Sequence, residues 1–419
     1  MSTRAIILSV GDELVLGQTV DTNSAWLSQQ LASIGLPVAA HVTVGDDQKA
    51  IEQAIDEAAQ RAEVIIITGG IGPTEDDLTR QALAAVMKTP LELNEDWLHR
   101  LEAFFRRSGR EMPPMNRIQA MIPRGAQMID NTAGTAAGIR AELTNGPRVF
   151  VMPGVPKEMK IMFERSIRPE LERESSGAVI LSKTLHTFGL GESTIAEKLG
   201  ELMKRDRNPS VGTTVSQGIV SLRINARFAD RESAQRELNA TEAACGFALG
   251  ELIYGADDEP LASVVGKMLK RSNHSVATAE SCTGGLLAKY LTDIAGSSAY
   301  FKYGWVTYAD EAKQSELDVP APLLAQHGAV SEPVVATMAD GARNKSGADY
   351  ALAISGIAGP DGGTPDKPVG TVCIALCYQQ RTIARTFRFL GDREMIRDRS
   401  AKMALTMLRF ELLGKPLPF

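Results

Sequence analysis

The sequence has little cysteine: four residues in 419, none of them in a C-x-x-C pair. That excludes a disulfide framework and points to a reducing, cytoplasmic setting. No apolar run approaches the roughly 20 residues needed to cross a bilayer, so no membrane partner is expected. The opening MSTRAIILSVGDEL has no long apolar stretch and no small-residue cleavage site, so no signal peptide is expected there. An excess of basic charge is missing too: Lys+Arg total 45 against Asp+Glu 51, for a net charge of −6. Nucleic-acid binders carry a basic footprint, so no nucleic-acid partner is expected. Anionic small substrates stay open, because local charge can oppose the global sign. Internal repeats and low-complexity tracts are absent.

What is there is ordinary globular sequence, 44% hydrophobic and 23% charged. At roughly 150 residues per domain the length suggests two or three domains. Residues 1–170 alternate short apolar runs with helical stretches. Ala5–Val10, Ala39–Val44, Glu63–Thr68 and Arg148–Met152 read as strands. Ala25–Ile34, Lys49–Ala62 and Leu78–Val86 read as helices, so a doubly wound α/β domain is predicted. Residues 175–254 read as a small α+β domain. Its strands are Ile180–Phe188 and Val220–Phe228, and its helices Ser193–Met203 and Glu232–Leu249. A polar linker spans Tyr254–Pro260. Residues 258–415 read as a second α/β domain. Helices are predicted over Leu261–Ser272, Cys282–Thr292 and Ile396–Leu413, and strands over Ser275–Ala279, Leu352–Ile354 and Val369–Cys377. Cys373 and Cys377 share the last strand with apolar neighbours and read as core.

Ser281 stands between a predicted strand and the glycine-rich helix start Thr283-Gly284-Gly285. A serine there is either a helix cap or a nucleophile held beside unpaired backbone N–H groups. The N–H groups around Thr283 and Gly284 are the candidate oxyanion donors. A serine nucleophile needs a base. His274 and His327 lie in no recognisable motif, which leaves Lys313, provided burial brings its pKa toward neutrality. Tyr308, five residues earlier, can relay a proton or orient the lysine. Cys282 is a rival nucleophile or a small buried residue. The Ser355–Gly363 loop suits close backbone approach to a phosphate. Arg393 and Arg397 are either its cationic partners or solvated helix charges.

In the first domain, Thr68-Gly69-Gly70-Ile71-Gly72-Pro73-Thr74 joins a strand to a helix start, a place that favours anions. Asp76 and Asp77 follow, and Asp12 and Glu13 end another strand. These four carboxylates are candidate ligands for a divalent cation bridging phosphates, or dipole-complementing residues of first helical turns. The pattern is neither a P-loop nor a dinucleotide-binding fingerprint.

Several motifs of the last domain resemble the CinA C-terminal domain family: Ala279-Glu280-Ser281-Cys282-Thr283-Gly284-Gly285, Asp293-Ile294-Ala295-Gly296-Ser297-Ser298, Val306-Thr307-Tyr308, and Ser355–Gly363 with Lys367-Pro368-Val369-Gly370-Thr371. The resemblance implies a metal-independent deamidase of nicotinamide mononucleotide (NMN). Its serine falls on Ser281, its lysine on Lys313 and its tyrosine on Tyr308. Thr283, Gly284, Gly285, Ser297, Ser298, Ser355, Gly356, Ala358, Gly359 and Arg393 are the implied substrate-binding positions. Gly11-Asp12-Glu13-Leu14, Asp21-Thr22-Asn23, Thr68–Thr79, Asn131–Gly138 and Pro153–Met159 resemble the molybdopterin-binding (MogA/MoaB-like) fold as it occurs at the N-terminus of CinA proteins. Some of that group hydrolyse ADP-ribose with a divalent metal; pterin or nucleotide binding is the alternative. The middle segment resembles the KH-like piece of the same proteins, but Gly189-Leu190-Gly191-Glu192 does not supply the G-x-x-G clamp that grips RNA. The resemblance thus implies two α/β/α sandwich domains joined by a KH-like domain, a homodimer, and two hydrolases salvaging the pyridine nucleotide pool. A non-enzymatic competence or damage-response protein is the competing class.

Overall fold

Val64–Thr68 has no polar residue until its end, so it can be buried on both faces, and it is the centre of the first sheet. The computed structural model describes residues 4–107, 109–144, 146–174 and 178–419. Contacts gather them into two units, Met1–Ser182 with Asn225–Leu238, and Lys183–Ile224 with Asn239–Phe419.

In the first unit the strands are β1 (Ala5–Val10), β2 (Val38–Val44), β3 (Val64–Thr68), β4 (Leu91–Leu93), β5 (Met121–Pro123), β6 (Gln127–Ile129), β7 (Gly138–Glu142) and β8 (Arg148–Met152). The main sheet runs β2-β1-β3-β8-β7-β6, and β4 and β5 form a separate ribbon. β2, β1, β3 and β8 are parallel, while β7 and β6 are antiparallel additions that alternation of strand and helix did not foretell. The helices are α1 (Asp12–Val15), α2 (Thr22–Ser33), α3 (Gln48–Ala59), α4 (Thr79–Val86), α5 (Glu95–Arg107), α6 (Pro156–Met162) and α7 (Arg168–Glu174). Ile51, Ile55 and Leu83 of α3 and α4 pack on one face of the sheet. Leu27, Leu31 and Met159 of α2 and α6 pack on the other.

The middle strands are β9 (Val179–Phe188), β10 (Ser210–Ser216), β11 (Ile219–Phe228) and β12 (Ile253–Ala256), with helices α8 (Glu192–Leu199) and α9 (Arg231–Leu249). Their sheet runs β10-β11-β9-β12. The expected linker at Tyr254 is therefore strand at its start: β12 pairs with β9. Tyr254 is buried and stacks on His186 at 5.8 Å.

The last strands are β13 (Val276–Glu280), β14 (Phe301–Val306), β15 (Tyr350–Gly356), β16 (Thr371–Tyr378) and β17 (Arg381–Arg388). They run β14-β13-β15-β16-β17. The first three are parallel and the last two antiparallel. The helices are α10 (Leu261–Ser272), α11 (Leu286–Thr292), α12 (Asp310–Leu317), α13 (Ala321–His327), α14 (Glu332–Ser346) and α15 (Arg393–Leu412). α10, α11 and α15 cover one face through Val265, Leu287 and Leu405. α12, α13 and α14 cover the other through Leu317, Leu324 and Val335, with Cys373 and Cys377 in that core. The helix expected from Cys282 starts only at Leu286.

Candidate functional site

Ligands of open α/β sheets gather beyond the carboxyl ends of parallel strands. β13, β14 and β15 end together at Ser281, Thr307 and Ser355. Ser281 is 8% exposed, and its N–H donates to Ile354 O at 2.9 Å. The next four residues form a turn. Gly284 N–H returns to Ser281 O at 3.0 Å, and φ is +58° at Gly284 and +89° at Gly285, a left-handed stretch that glycine alone enters without strain. Among the described residues, the N–H groups of Cys282, Thr283 and Gly285 find no acceptor on another residue. The Gly284 N–H, expected as an oxyanion donor, is spent on the turn itself.

Two charges, the half-buried Arg397 and the buried Glu280, hold this turn. Arg397 donates from Nε to Cys282 O at 3.1 Å and from Nη2 to Thr283 O at 2.7 Å. Glu280 accepts the N–H groups of Leu287 and Ala288 at 3.0 and 2.8 Å, so its carboxylate caps the start of α11, where helix donors are otherwise unpaired. Burial pushes the Cys282 thiol up to about 12, which removes it as a thiolate nucleophile.

Lys313 is 1% exposed. Its Nζ donates to Tyr308 O and Asp310 Oδ1, each at 3.1 Å, and more weakly to Ala309 O at 3.5 Å. No hydrogen bond joins it to Ser281; the two stand beyond neighbouring strand ends, where Thr307 N–H donates to Glu280 O at 2.8 Å. Tyr308 orients the lysine through its carbonyl, not its hydroxyl. Its side chain is 58% exposed, and its Oη accepts from Arg393 Nη2 at 3.0 Å.

Arg393 Nη1 also donates to Gly359 O at 2.7 Å. Both arginines expected at a phosphate thus serve backbone carbonyls first. Ser355 donates to Ala329 O at 2.7 Å, so its hydroxyl tethers a loop. Gly356 lies against Val372, whose Cγ2 would stand 2.7 Å from an added Cβ, and Ala358 is buried. Ser297 and Ser298 are not at this site in their own chain. They precede β14, whose first residue pairs with Val276 at the start of β13, so they lie at the far end of the sheet from Ser281. Sequence reasoning missed the roles of Glu280 and of Thr307, whose buried hydroxyl, like that of Thr283, has no partner. Lys367, which sequence reasoning quoted only as part of a motif, donates to His327 O and Val330 O at 2.8 and 2.7 Å.

In the first unit a cavity of about 450 Å³ opens at the carboxyl ends of β1, β3 and β8. Gly69, Gly70, Gly72 and Pro73 line it; Thr68 and Thr74 do not. The carboxylates of Glu13, Asp46, Asp76, Asp77 and Glu158 line it with no basic side chain. Asp77 accepts from Gly72 N–H at 2.6 Å and Thr74 N–H at 2.9 Å, so it shapes the loop. Asp12 lies outside the lining; its N–H donates to the Asp46 carboxylate at 2.9 Å, and Asp46 N–H donates to the Asp12 carboxylate at 3.1 Å. Asp12, Glu13, Asp76 and Asp77 are therefore not drawn into one ligand set, and among the described residues no group of three or more His, Cys, Asp or Glu is placed to hold a metal. Arg80, unforeseen, is buried beneath the loop and donates to Gly72 O at 3.1 Å and to Ile71 O. Burial lowers its pKa to about 10. No described helix is long and apolar enough to cross a membrane.

Comparison with known proteins identifies three domain types along the chain. Residues 6–173 match the model of a "probable molybdopterin binding domain", residues 182–255 that of the "damage-inducible protein CinA KH domain", and residues 258–412 that of the "CinA C-terminal domain". The chain is similar to a "putative competence-damage inducible protein" of Symbiobacterium thermophilum, 44% identical over 98% of this chain and 99% of that one. A CinA-like protein of Geobacter sulfurreducens is 43% identical over 97% and 98%. A solved CinA superfamily protein of Klebsiella pneumoniae is 40% identical over 37% of this chain and 96% of its own, with a TM-score of 0.36. The chain belongs to the CinA-like family, with a MoaB/MogA-like N-terminal domain, a KH-like middle domain and a CinA C-terminal domain.

Proposed function

We propose that the C-terminal domain deamidates NMN to nicotinate mononucleotide and ammonia. The observation that carries the reading is the turn after β13: a shielded Ser281 hydroxyl is followed at once by the unpaired N–H groups of Cys282 and Thr283. That is the arrangement an acyl transfer to serine requires. Ser281 Oγ attacks the carboxamide carbon, and its proton passes to Lys313. To take that proton Lys313 reacts as the neutral amine: its two N–H groups stay on Tyr308 O and Asp310 Oδ1, and its lone pair, in place of the weak 3.5 Å contact to Ala309 O, turns toward Ser281. The oxyanion rests on the N–H groups of the turn, and ammonia leaves after protonation. Water then cleaves the acyl-enzyme. No step calls for a metal. Ammonia release from NMN by the purified chain in EDTA, with Ser281→Ala as control, is the test; turnover in the wild type alone supports the reading, and none in either refutes it.

A second reading concerns the N-terminal cavity, for which we propose hydrolysis of ADP-ribose at its pyrophosphate. Gly70 and Ile71 offer N–H groups without acceptors among the described residues, which suits a phosphate. Five carboxylates opposite them repel it. The residues do not fit a protein-held metal, so the diphosphate must bring its own counter-cations. AMP release from ADP-ribose in magnesium, absent in EDTA, is the expected result; tight binding without turnover would favour a nucleotide or pterin binder.

A further inference from the structure

α15 holds the Ser281 turn on one side and the middle domain on the other, all within the second unit. Arg397 donates to the carbonyls of Cys282 and Thr283 in the turn. Its neighbour Asp398 is 5% exposed. Asp398 Oδ1 accepts the O–H of Tyr290 at 2.5 Å, and Oδ2 accepts from Lys402 Nζ at 2.8 Å. Tyr290 stands one turn into α11, the helix that the Ser281 turn opens. Adjacent residues of an α-helix point about 100° apart, so Arg397 and Asp398 grip the turn and its helix separately. Lys402 lies four residues on, over the same face as Asp398. Burial first, and then the Asp398 carboxylate, raise the Tyr290 pKa, so its hydroxyl stays a donor.

Lys402 is only 9% exposed, and a buried ammonium is costly unless its protons find acceptors. Its second acceptor comes from the middle domain: Gln217 O, at 3.3 Å. Gln217 and Gly218 are the two residues between β10 and β11. Their φ values of +48° and +78° are those of the tight hairpin turn whose twist matches its strands. A Cβ added to Gly218 would stand 3.2 Å from Arg399 Nε, so the tip lies directly on α15. Ile219 packs on the core that contains Met403 and Leu405 of that helix. Further along, Arg409 donates to Glu251 O and Ile253 O at 2.6 and 2.9 Å, a second tie to the same domain. Apolar side chains of similar volume would join these elements at least as firmly. What the ion pair adds is direction: it fixes which way the Asp398 carboxylate, and hence Tyr290, points.

We propose that Lys402 is a positioning residue of the Ser281 site: seated by the Gln217 carbonyl, it orients Asp398, which through Tyr290 sets α11 and the turn that offers the oxyanion N–H groups. The middle domain thereby tunes the rate of the C-terminal domain. The effect on rate rests on the deamidase reading; the tie itself does not. Two measurements test it, on Lys402→Met and on a chain with one glycine inserted between Gln217 and Gly218. In both, kcat for ammonia release is expected to fall about tenfold with KM unchanged, less than a directly misplaced group costs, because Arg397 still holds the turn. Amide hydrogen exchange across Leu286–Thr292 should speed up in both. Lys402→Met strands a buried carboxylate, so Asp398→Asn/Lys402→Met removes that charge as well. Its kcat should stay low, because no cation orients the amide. A wild-type kcat in this double variant would assign the loss to the stranded charge and overturn the positioning role. An unchanged kcat or unchanged exchange in the insertion variant overturns it too. If the wild type releases no ammonia, faster exchange in the insertion variant keeps the tie and removes the deamidase reading alone.

Discussion

Arg397 Nη2 donates to the carbonyl oxygen of Thr283 at 2.7 Å, while its Nε reaches Cys282 O at 3.1 Å. A carbonyl and the N–H that follows it share one rigid plane. Holding Cys282 O therefore aims the Thr283 N–H, one of the proposed oxyanion donors. Arg397→Ala is expected to lower kcat for ammonia release about a hundredfold, the scale of a misplaced reacting group, with KM within a few-fold. Steady-state kinetics reads both; a KM effect alone would make Arg397 a substrate contact.

Ser281 and Cys282 are adjacent nucleophile types that the structure separates by environment. Burial comes first in holding the Cys282 thiol near 12, so almost none is thiolate at neutral pH. Cys282→Ser should keep most of the activity, and iodoacetamide at pH 7.5 should leave the native protein active. Ser281→Ala should lose at least a thousandfold, as catalytic nucleophiles do. The reverse pattern would transfer the chemistry to the cysteine.

The central strands were legible because burial on both faces leaves a run with little polar interruption: Arg148–Met152 was read to the residue, and Val64–Thr68 to within one. β14 and β17 were not, since edge strands carry exposed residues on a mixed pattern and only their neighbours make them strands. Thr283-Gly284-Gly285 looked like a helix start, yet two successive positive φ values bar an α-helix there. The candidate residues were legible as motifs, but their partners were not. Lys313 and Arg80 are charged residues in helices, which ordinarily means solvent, and nothing local announces that both are buried against carbonyls. Ser297 and Ser298 could be picked out from sequence, whereas their distance from Ser281 follows from the β13–β14 register, a long-range fact.

Gly69 has φ of +99°, and a Cβ added there would fall on the carbonyl oxygen of Val10. The clash is with backbone at the end of β1, which cannot swing away as a side chain would. Gly69→Ala should cost about 2–3 kcal/mol. That lowers the thermal transition of the N-terminal unit by several degrees, while ammonia release is unchanged. A shift under one degree in calorimetry would mean the loop relaxes freely.

Asp46 stands among like charges at the rim of the N-terminal cavity. Burial comes first in raising its pKa above 3.8, and Asp12, Glu13 and Asp76 push the same way against the hydrogen bond from Asp12 N–H. An acid whose folded pKa exceeds its unfolded value binds more protons folded than unfolded between the two. Its contribution to stability is then present below that window and lost as pH rises through it. Asp46→Asn keeps an oxygen for the Asp12 N–H and removes the charge. The variant should therefore raise the Tm of the N-terminal transition at pH 7, with a smaller gain at pH 4, where more of the native carboxyl is protonated. An equal gain at both pH values would assign the effect to packing and not to charge.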